Sequence, residues 1–194
     1  MSPFFSSDAI LGAWVVSWLV ASIWSRRTTA RLPSSARLLD LALTVAGAGL
    51  IAYSSRMRAI FGGGGPLTWS FPLAIDWLLT GLVALGLAFT WWARLTLGDL
   101  WSSAVTRKEA HVVVRAGPYR LVRHPIYTGL IFALLSLAVQ IGRPAAVIGA
   151  LLMAVGFSMK ARLEERFLSA ELGEAYADFR KATPMLIPFW PTRG

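Results

Sequence analysis

Apolar residues fall into five long blocks, near Ala9–Ser25, Leu38–Ser55, Phe71–Ala93, Pro125–Gly142 and Pro144–Met159, with the charged residues between them. Each block is 16 to 23 residues long, against roughly 20 residues needed to cross a bilayer core as a helix. The pattern predicts an all-α, polytopic integral membrane protein with about five transmembrane helices. Only Arg143 separates the last two blocks. Gly142 suits the end of one helix and Pro144 the first turn of the next, which predicts a tight antiparallel C-terminal hairpin. One long re-entrant element is the alternative. Met1–Asp8 lacks the positive stretch of a cleavable signal, so the first block is expected to be a retained span.

Charge gives the pattern a direction. With the N-terminus outside, sixteen of the nineteen lysines and arginines fall in the two inner loops and the C-terminal tail. Arg56, Arg58 and Arg143 stay outside. Cytoplasmic loops carry such an excess, so the N-terminus is expected outside and the C-terminus in the cytoplasm. Gly62–Gly65, followed by Pro66, falls on the outer side. It lacks the context of a phosphate-cradling loop and reads as a connector.

Composition narrows the chemistry. The chain of 194 residues is 56% hydrophobic and 15% charged, carries net charge +9, and has no cysteine and two histidines. Disulfides and cysteine nucleophiles are excluded, and no metal site is expected. Basic residues cluster with aromatic ones at block ends rather than along a soluble face, so nucleic acid is not an expected partner.

Two polar segments remain as places for function. The first runs from Thr96 to His124. Gly117-Pro118 signals a turn, Val112–Val114 is short and β-prone, and His124 stands before Pro125 at the cap of the fourth helix. A helix start presents free N–H groups and the positive pole of the macrodipole, which suits a carboxylate or phosphate. Tyr127 follows on the same helical face as His124. Equally, Tyr119, Arg120, Arg123 and Tyr127 could be interface anchors. The second segment begins at Lys160. The fifth helix is expected to leave the membrane through Leu168, with Leu163, Phe167, Leu168, Leu172, Tyr176 and Phe179 forming an amphipathic face against the inner surface. Glu164 and Glu165 diverge by about 100° on a helix, so at most one would face a given pocket squarely. They could instead belong to a solvated charged face. Asp40 and Asp76 lie near span ends, with Arg37 expected to pair with the first and Arg56 or Arg58 with the second; a structural role is expected for both.

Together, Gly117-Pro118-Tyr119-Arg120-Leu121-Val122-Arg123-His124-Pro125-Ile126-Tyr127-Thr128-Gly129 and, beyond the hairpin, Glu164-Glu165-Arg166-Phe167-Leu168 with Gly173-Glu174-Ala175-Tyr176 resemble the isoprenylcysteine carboxyl methyltransferase family, akin to membrane phospholipid methyltransferases. The resemblance covers roughly Thr96–Phe189. It divides the chain into N-terminal helices, 1–95, and a methyltransferase core, 96–194. It implies a cytoplasmic pocket for S-adenosyl-L-methionine, with an opening for a lipophilic or prenylated acceptor among the membrane lipids. By position, His124 and Tyr127 would meet the amino-acid end of the cofactor. The backbone around Arg115, Gly117 and Tyr119 would wall the adenosine, and Glu164, with Glu165, would hold a polar cofactor group. The family's usual second tyrosine and arginine are replaced here by Phe179 and Thr183–Pro188. Arg180 or Lys181 stands in as the candidate for a substrate-contacting cation.

Methyl transfer from a sulfonium needs alignment and exclusion of water more than acid–base help. An acceptor that is already anionic, or a neutral amine, is favoured over an alcohol, which would need a base. A nicotinamide-dependent sterol-type reductase and a non-enzymatic lipid-binding protein are the alternatives.

Overall fold

The computed structural model describes residues 2–23, 28–31, 38–65, 67–98, 106–108 and 113–191, with only the backbone described at 28–31 and 106–108. Five helices carry the fold: α1 (Pro3–Ala21), α2 (Leu38–Phe61), α3 (Leu73–Leu97), α4 (Pro125–Ile141) and α5 (Pro144–Ala182). The expected all-helical build is borne out, with one short addition between loops. Strand β1 (Thr28–Arg31) pairs antiparallel with β2 (Thr106–Lys108), joining two of the connecting loops through their backbones.

Helices α1, α2, α3 and α5 are each long and apolar enough to cross a membrane, and the chain is an integral membrane protein. Helix α4 is apolar but has 17 residues, about 26 Å, which falls short of a core of about 30 Å. It compensates by position. Helices α3 and α5 flank α4, while α1 packs on α3 and α2 on α5. The core therefore gathers on α4, where Ala133, Leu134, Leu137, Ala138 and Ile141 are buried with Val83, Leu87, Ala146, Ala150 and Met153. Leu85, Phe132, Ile148 and Leu151 remain exposed on the outside, where hydrocarbon is the solvent.

Hydrocarbon gives no hydrophobic incentive for one apolar helix to join another, so close packing must do that work. A side chain at Gly129 would begin 2.6 Å from the Gly86 carbonyl oxygen, so α3 and α4 meet backbone to backbone. Helix α4 starts at Pro125 and stops at Gly142, whose φ of 71° ends the helical ladder; Pro144 opens α5.

At the Gly142 end, polar side chains close on one another. Arg58 pairs with Asp76 at 3.8 Å, as expected for one of the two arginines named above, and donates to the Ile141 carbonyl. Fully buried Gln140 donates to Thr80 Oγ1 and to the Asp76 carbonyl.

The C-terminal half of α5 differs from expectation. The helix runs without a break from Pro144 to Leu172, then bends at Gly173, where φ is 54°. Beyond the bend, Tyr176 and Phe179 are buried with Tyr119 and Ala93, and Leu168 and Leu172 pack against the same group. The apolar face thus covers protein instead of lying on the membrane surface. Once Gly173 redirects the helix, the 117–120 turn is the apolar surface within reach.

Candidate active site

The site forms where α4 begins and α5 leaves the bundle. His124 caps α4 with φ −121° and ψ 62°, outside the helical region, which the following proline disfavours for it. Tyr127 lies one turn on, its ring stacked on His124 at 5.8 Å and on Phe157 of α5 at 5.6 Å. The Tyr127 hydroxyl donates to Glu164 Oε1 at 2.6 Å. Lys160 Nζ lies 5.6 Å from the centre of the Tyr127 ring.

Both glutamates serve this group, contrary to the expectation that only one could. Glu164 Oε2 lies 3.4 Å from His124 Nδ1, and Glu165 Oε1 lies 3.4 Å from His124 Nε2. One imidazole reaches both because its nitrogens sit on opposite edges of the ring, which offsets the divergence of adjacent helical positions. Glu165 also accepts from Arg123 Nε at 2.5 Å, in a pair whose side chains are 8% and 10% exposed. Burial alone would push the His124 pKa down, but the two carboxylates outweigh it and hold the imidazolium above its ordinary value of 6.5. For Glu165, burial favours the neutral acid, yet His124 and Arg123 prevail and lower its pKa to about 2.

The two residues before α4 are fastened to the C-terminal segment. The N–H groups of Arg123 and His124 donate to the Pro184 and Met185 carbonyls, at 2.8 and 3.1 Å. Thr128 Oγ1 donates to the Leu186 carbonyl at 2.7 Å. Arg123 Nη1 adds bonds to the carbonyls of Arg180 and Thr183. A strap formed by residues 183–186 thus fastens Arg123 and His124, which precede α4, and the Thr128 side chain. Nothing in the strap's composition signals this, because its contacts are made by backbone carbonyls. Arg123, the hub of the arrangement, was legible only as a motif residue.

The remaining candidates sit around this centre. Tyr119 is buried behind it, where burial, then the charge of Glu164, raise its pKa against the opposing effect of Arg94. Gly117 lies with its backbone against Thr96 and Trp92. Arg115 is committed to the C-terminal part of α5: it donates to the Ala175 carbonyl at 2.7 Å and lies over the Phe179 ring. Arg180 is half exposed at the rim, 3.7 Å from Glu165 Oε2, whereas Lys181 pairs with Asp178 on the surface. Asp40 belongs to the same end of the bundle and is buried; Arg37, its expected partner, lies outside the described residues. No group of three or more metal-ligating side chains occurs among the described residues.

Sequence comparison bears on this arrangement. Residues 78–170, from α3 through most of α5, match the profile of the isoprenylcysteine carboxyl methyltransferase (ICMT) family. Over this segment, just under half of its length, the chain is similar to the ICMT family. A cobalt-zinc-cadmium resistance protein, CzcN, of Cupriavidus metallidurans is 30% identical over 123 residues, 62% of this chain and 52% of that protein. Protein-S-isoprenylcysteine O-methyltransferase of Schizosaccharomyces pombe is 30% identical over 114 residues, 57% and 48% of the two chains. Methanethiol S-methyltransferase of Mycobacterium tuberculosis is 39% identical over 89 residues, 44% and 32%. The chain thus matches about half or less of the length of these relatives. His124, Tyr127, Glu164 and Glu165 fall inside the ICMT segment, whereas Asp40, Arg180 and the strap fall outside it.

Proposed function

We propose that this protein transfers a methyl group from S-adenosyl-L-methionine to a lipophilic acceptor at the cytoplasmic membrane face, with its N-terminus outside. One observation carries the reading: Glu164, Glu165, Tyr127 and His124, drawn from two separate polar segments, meet at one end of the membrane helices. Relatives named for methylation of isoprenylcysteine and of methanethiol support it.

The residues fit such a cofactor chemically. Buried His124 Nε2 makes no hydrogen bond beyond its 3.4 Å contact with Glu165 Oε1, and the Glu164 carboxylate has capacity beyond its bond from Tyr127 and its contact with His124 Nδ1. S-adenosyl-L-methionine would supply an electrophilic methyl group on a sulfonium, together with an ammonium, a carboxylate and ribose hydroxyls. In this reading Glu164 accepts from the ammonium or from ribose hydroxyls. Tyr127 and His124 hold Glu164 in place and border the amino-acid end. Arg123 neutralises Glu165 and, through its bonds to the strap, keeps the site covered. Arg115, Gly117 and Tyr119 form the wall toward the adenosine, and Arg180 at the rim meets the acceptor. None of these groups must move a proton for the transfer; they align two reactants and exclude water, and alignment can lower a barrier by on the order of 7–11 kcal/mol.

Ligand binding to detergent-purified protein tests the reading. S-adenosylhomocysteine should raise the melting temperature, and NADPH should not. The reverse result would replace methyl transfer with the reductase alternative, and no response to either would favour a lipid-binding protein.

A further inference from the structure

The bonds of the strap fix the direction in which the chain leaves it. Pro184 and Met185 accept from the N–H groups of Arg123 and His124, and Leu186 accepts from Thr128, one turn inside α4. The strap therefore runs alongside the entry to α4 in the same direction, from the polar end toward the membrane core. Four residues beyond Thr128, on the same face of α4 and about 6 Å deeper, stands Phe132. Phe132 is exposed on the surface that meets hydrocarbon. Residues 187–190 thus emerge beside the lipid-facing side of α4, at the level where that helix enters the bilayer.

What those residues present is apolar. Ile187, Phe189 and Trp190 are 57%, 90% and 63% exposed, and no charged residue falls between Ala182 and Thr192. They sit on a tight turn. The Trp190 N–H donates to the Ile187 carbonyl at 3.2 Å, with Pro188 in the second position and Phe189 in the third, at a φ of 63°. A third position of this kind favours glycine or asparagine. Phe189 instead places a large apolar side chain in an uncommon backbone conformation, where water is its only solvent unless lipid covers it. Pro188 and Pro191 have no N–H, and that of Trp190 is taken, so the turn carries few free donors into a poorly hydrated layer.

We propose that the Ile187–Trp190 turn is a membrane anchor, docked in the interfacial layer of the bilayer beside the start of α4. An exposed apolar patch that continues a lipid-facing surface loses its cost when lipid covers it. Tryptophan favours the boundary between headgroups and acyl chains, and an uncharged segment meets no penalty there for burying charge. The occupant is the leaflet at the His124 end. The strap is then held in two places: by Arg123, His124 and Thr128 along its length, and by lipid at its far end. Docking of this turn requires only that α4 enter a membrane there, whichever reaction the site performs.

The chain has no cysteine, so a single Phe189→Cys carrying the environment-sensitive fluorophore NBD reports on this turn alone. In phosphatidylcholine vesicles it is compared with the same label on Lys181→Cys, at an exposed position in the last turn of α5. When the acyl chains are brominated near the headgroup, the Phe189→Cys label should lose roughly half or more of its emission, since interfacial segments lie about 5–10 Å into the boundary of headgroups and acyl chains. The Lys181→Cys label should keep its emission. Water-like, unquenched emission from the Phe189→Cys label would overturn the inference. So would equal quenching at both positions, or blue-shifted emission that brominated lipid does not quench, which means that protein covers the turn. If Phe189→Cys cannot be purified folded, Trp190→Cys carries the same label and the same expected loss.

Discussion

The two polar ends of this bundle are built from similar residues and differ in what those residues are bonded to. At the Gly142 end, donors close off backbone carbonyls where helices stop. Arg58 bonds to Ile141, Trp69 Nε1 to Val139 and Arg143 to Met57. Terminal carbonyls have no partner within their own helix, so these bonds secure the ends of α2 and α4. At the His124 end, Arg123 and Arg115 do similar work on α5 and the strap. Glu164 and Glu165 go further: they bring two carboxylates to one imidazole, more than fastening helices requires. Charge that ends on backbone carbonyls holds a fold together, whereas the two carboxylates on His124 are where the proposed cofactor would be held.

Arg123→Ala is the strongest test of the fastening half of that contrast. It leaves Glu165 buried without its closest partner and frees the strap, so stability should fall by about 3–5 kcal/mol, read by thermal unfolding in detergent. If the melting temperature barely moves, the strap is not held as described.

Gly129→Leu should cost about 1–3 kcal/mol by forcing α3 and α4 apart, with a matching drop in melting temperature. It probes packing that both ends share and should not discriminate between ligands.

Glu164→Gln and Tyr127→Phe sharpen the binding half. Each removes a charged partner or the hydrogen bond to it, so S-adenosylhomocysteine should bind roughly tenfold more weakly with unfolding little changed, since bonds to charged groups contribute about 1.5–3 kcal/mol. Titration calorimetry reads the change. Equal affinity in both variants would remove Glu164 from the site.

Acidity separates the two glutamates' partners. The raised pKa of His124 adds stability that is complete below 6.5 and fades as pH rises through its folded value. The lowered pKa of Glu165 adds stability that is complete above 4.5 and fades as pH falls toward about 2. Melting temperature should therefore peak between these limits, and His124→Gln should flatten the alkaline side of the profile.

The smallest effect belongs to the Gly142 end. Asp76→Asn should leave S-adenosylhomocysteine affinity unchanged and cost about 1 kcal/mol or less, because its ion pair with Arg58 is long.

Sequence alone determined the helices, because a run of apolar residues about as long as a bilayer is thick has few other ways to satisfy its backbone. It also marked Gly142-Arg143-Pro144 as a turn, Arg58 as a partner for Asp76, and the His124 and Glu164 segments as places of chemistry. Those signals are local: they depend on composition within a turn or two, or on a motif read in order. Only the tertiary structure decided that one imidazole bridges both glutamates, that the Pro184 and Met185 carbonyls take the N–H groups of Arg123 and His124, and that α2 crosses α5 at Gly156. Carbonyls carry no residue signature, and the contact between α2 and α5 at Asp40 and Gly156 joins positions 116 residues apart. Which acid is buried beside which ring follows from how closely glycines let the helices approach, and hydrophobic periodicity does not encode that.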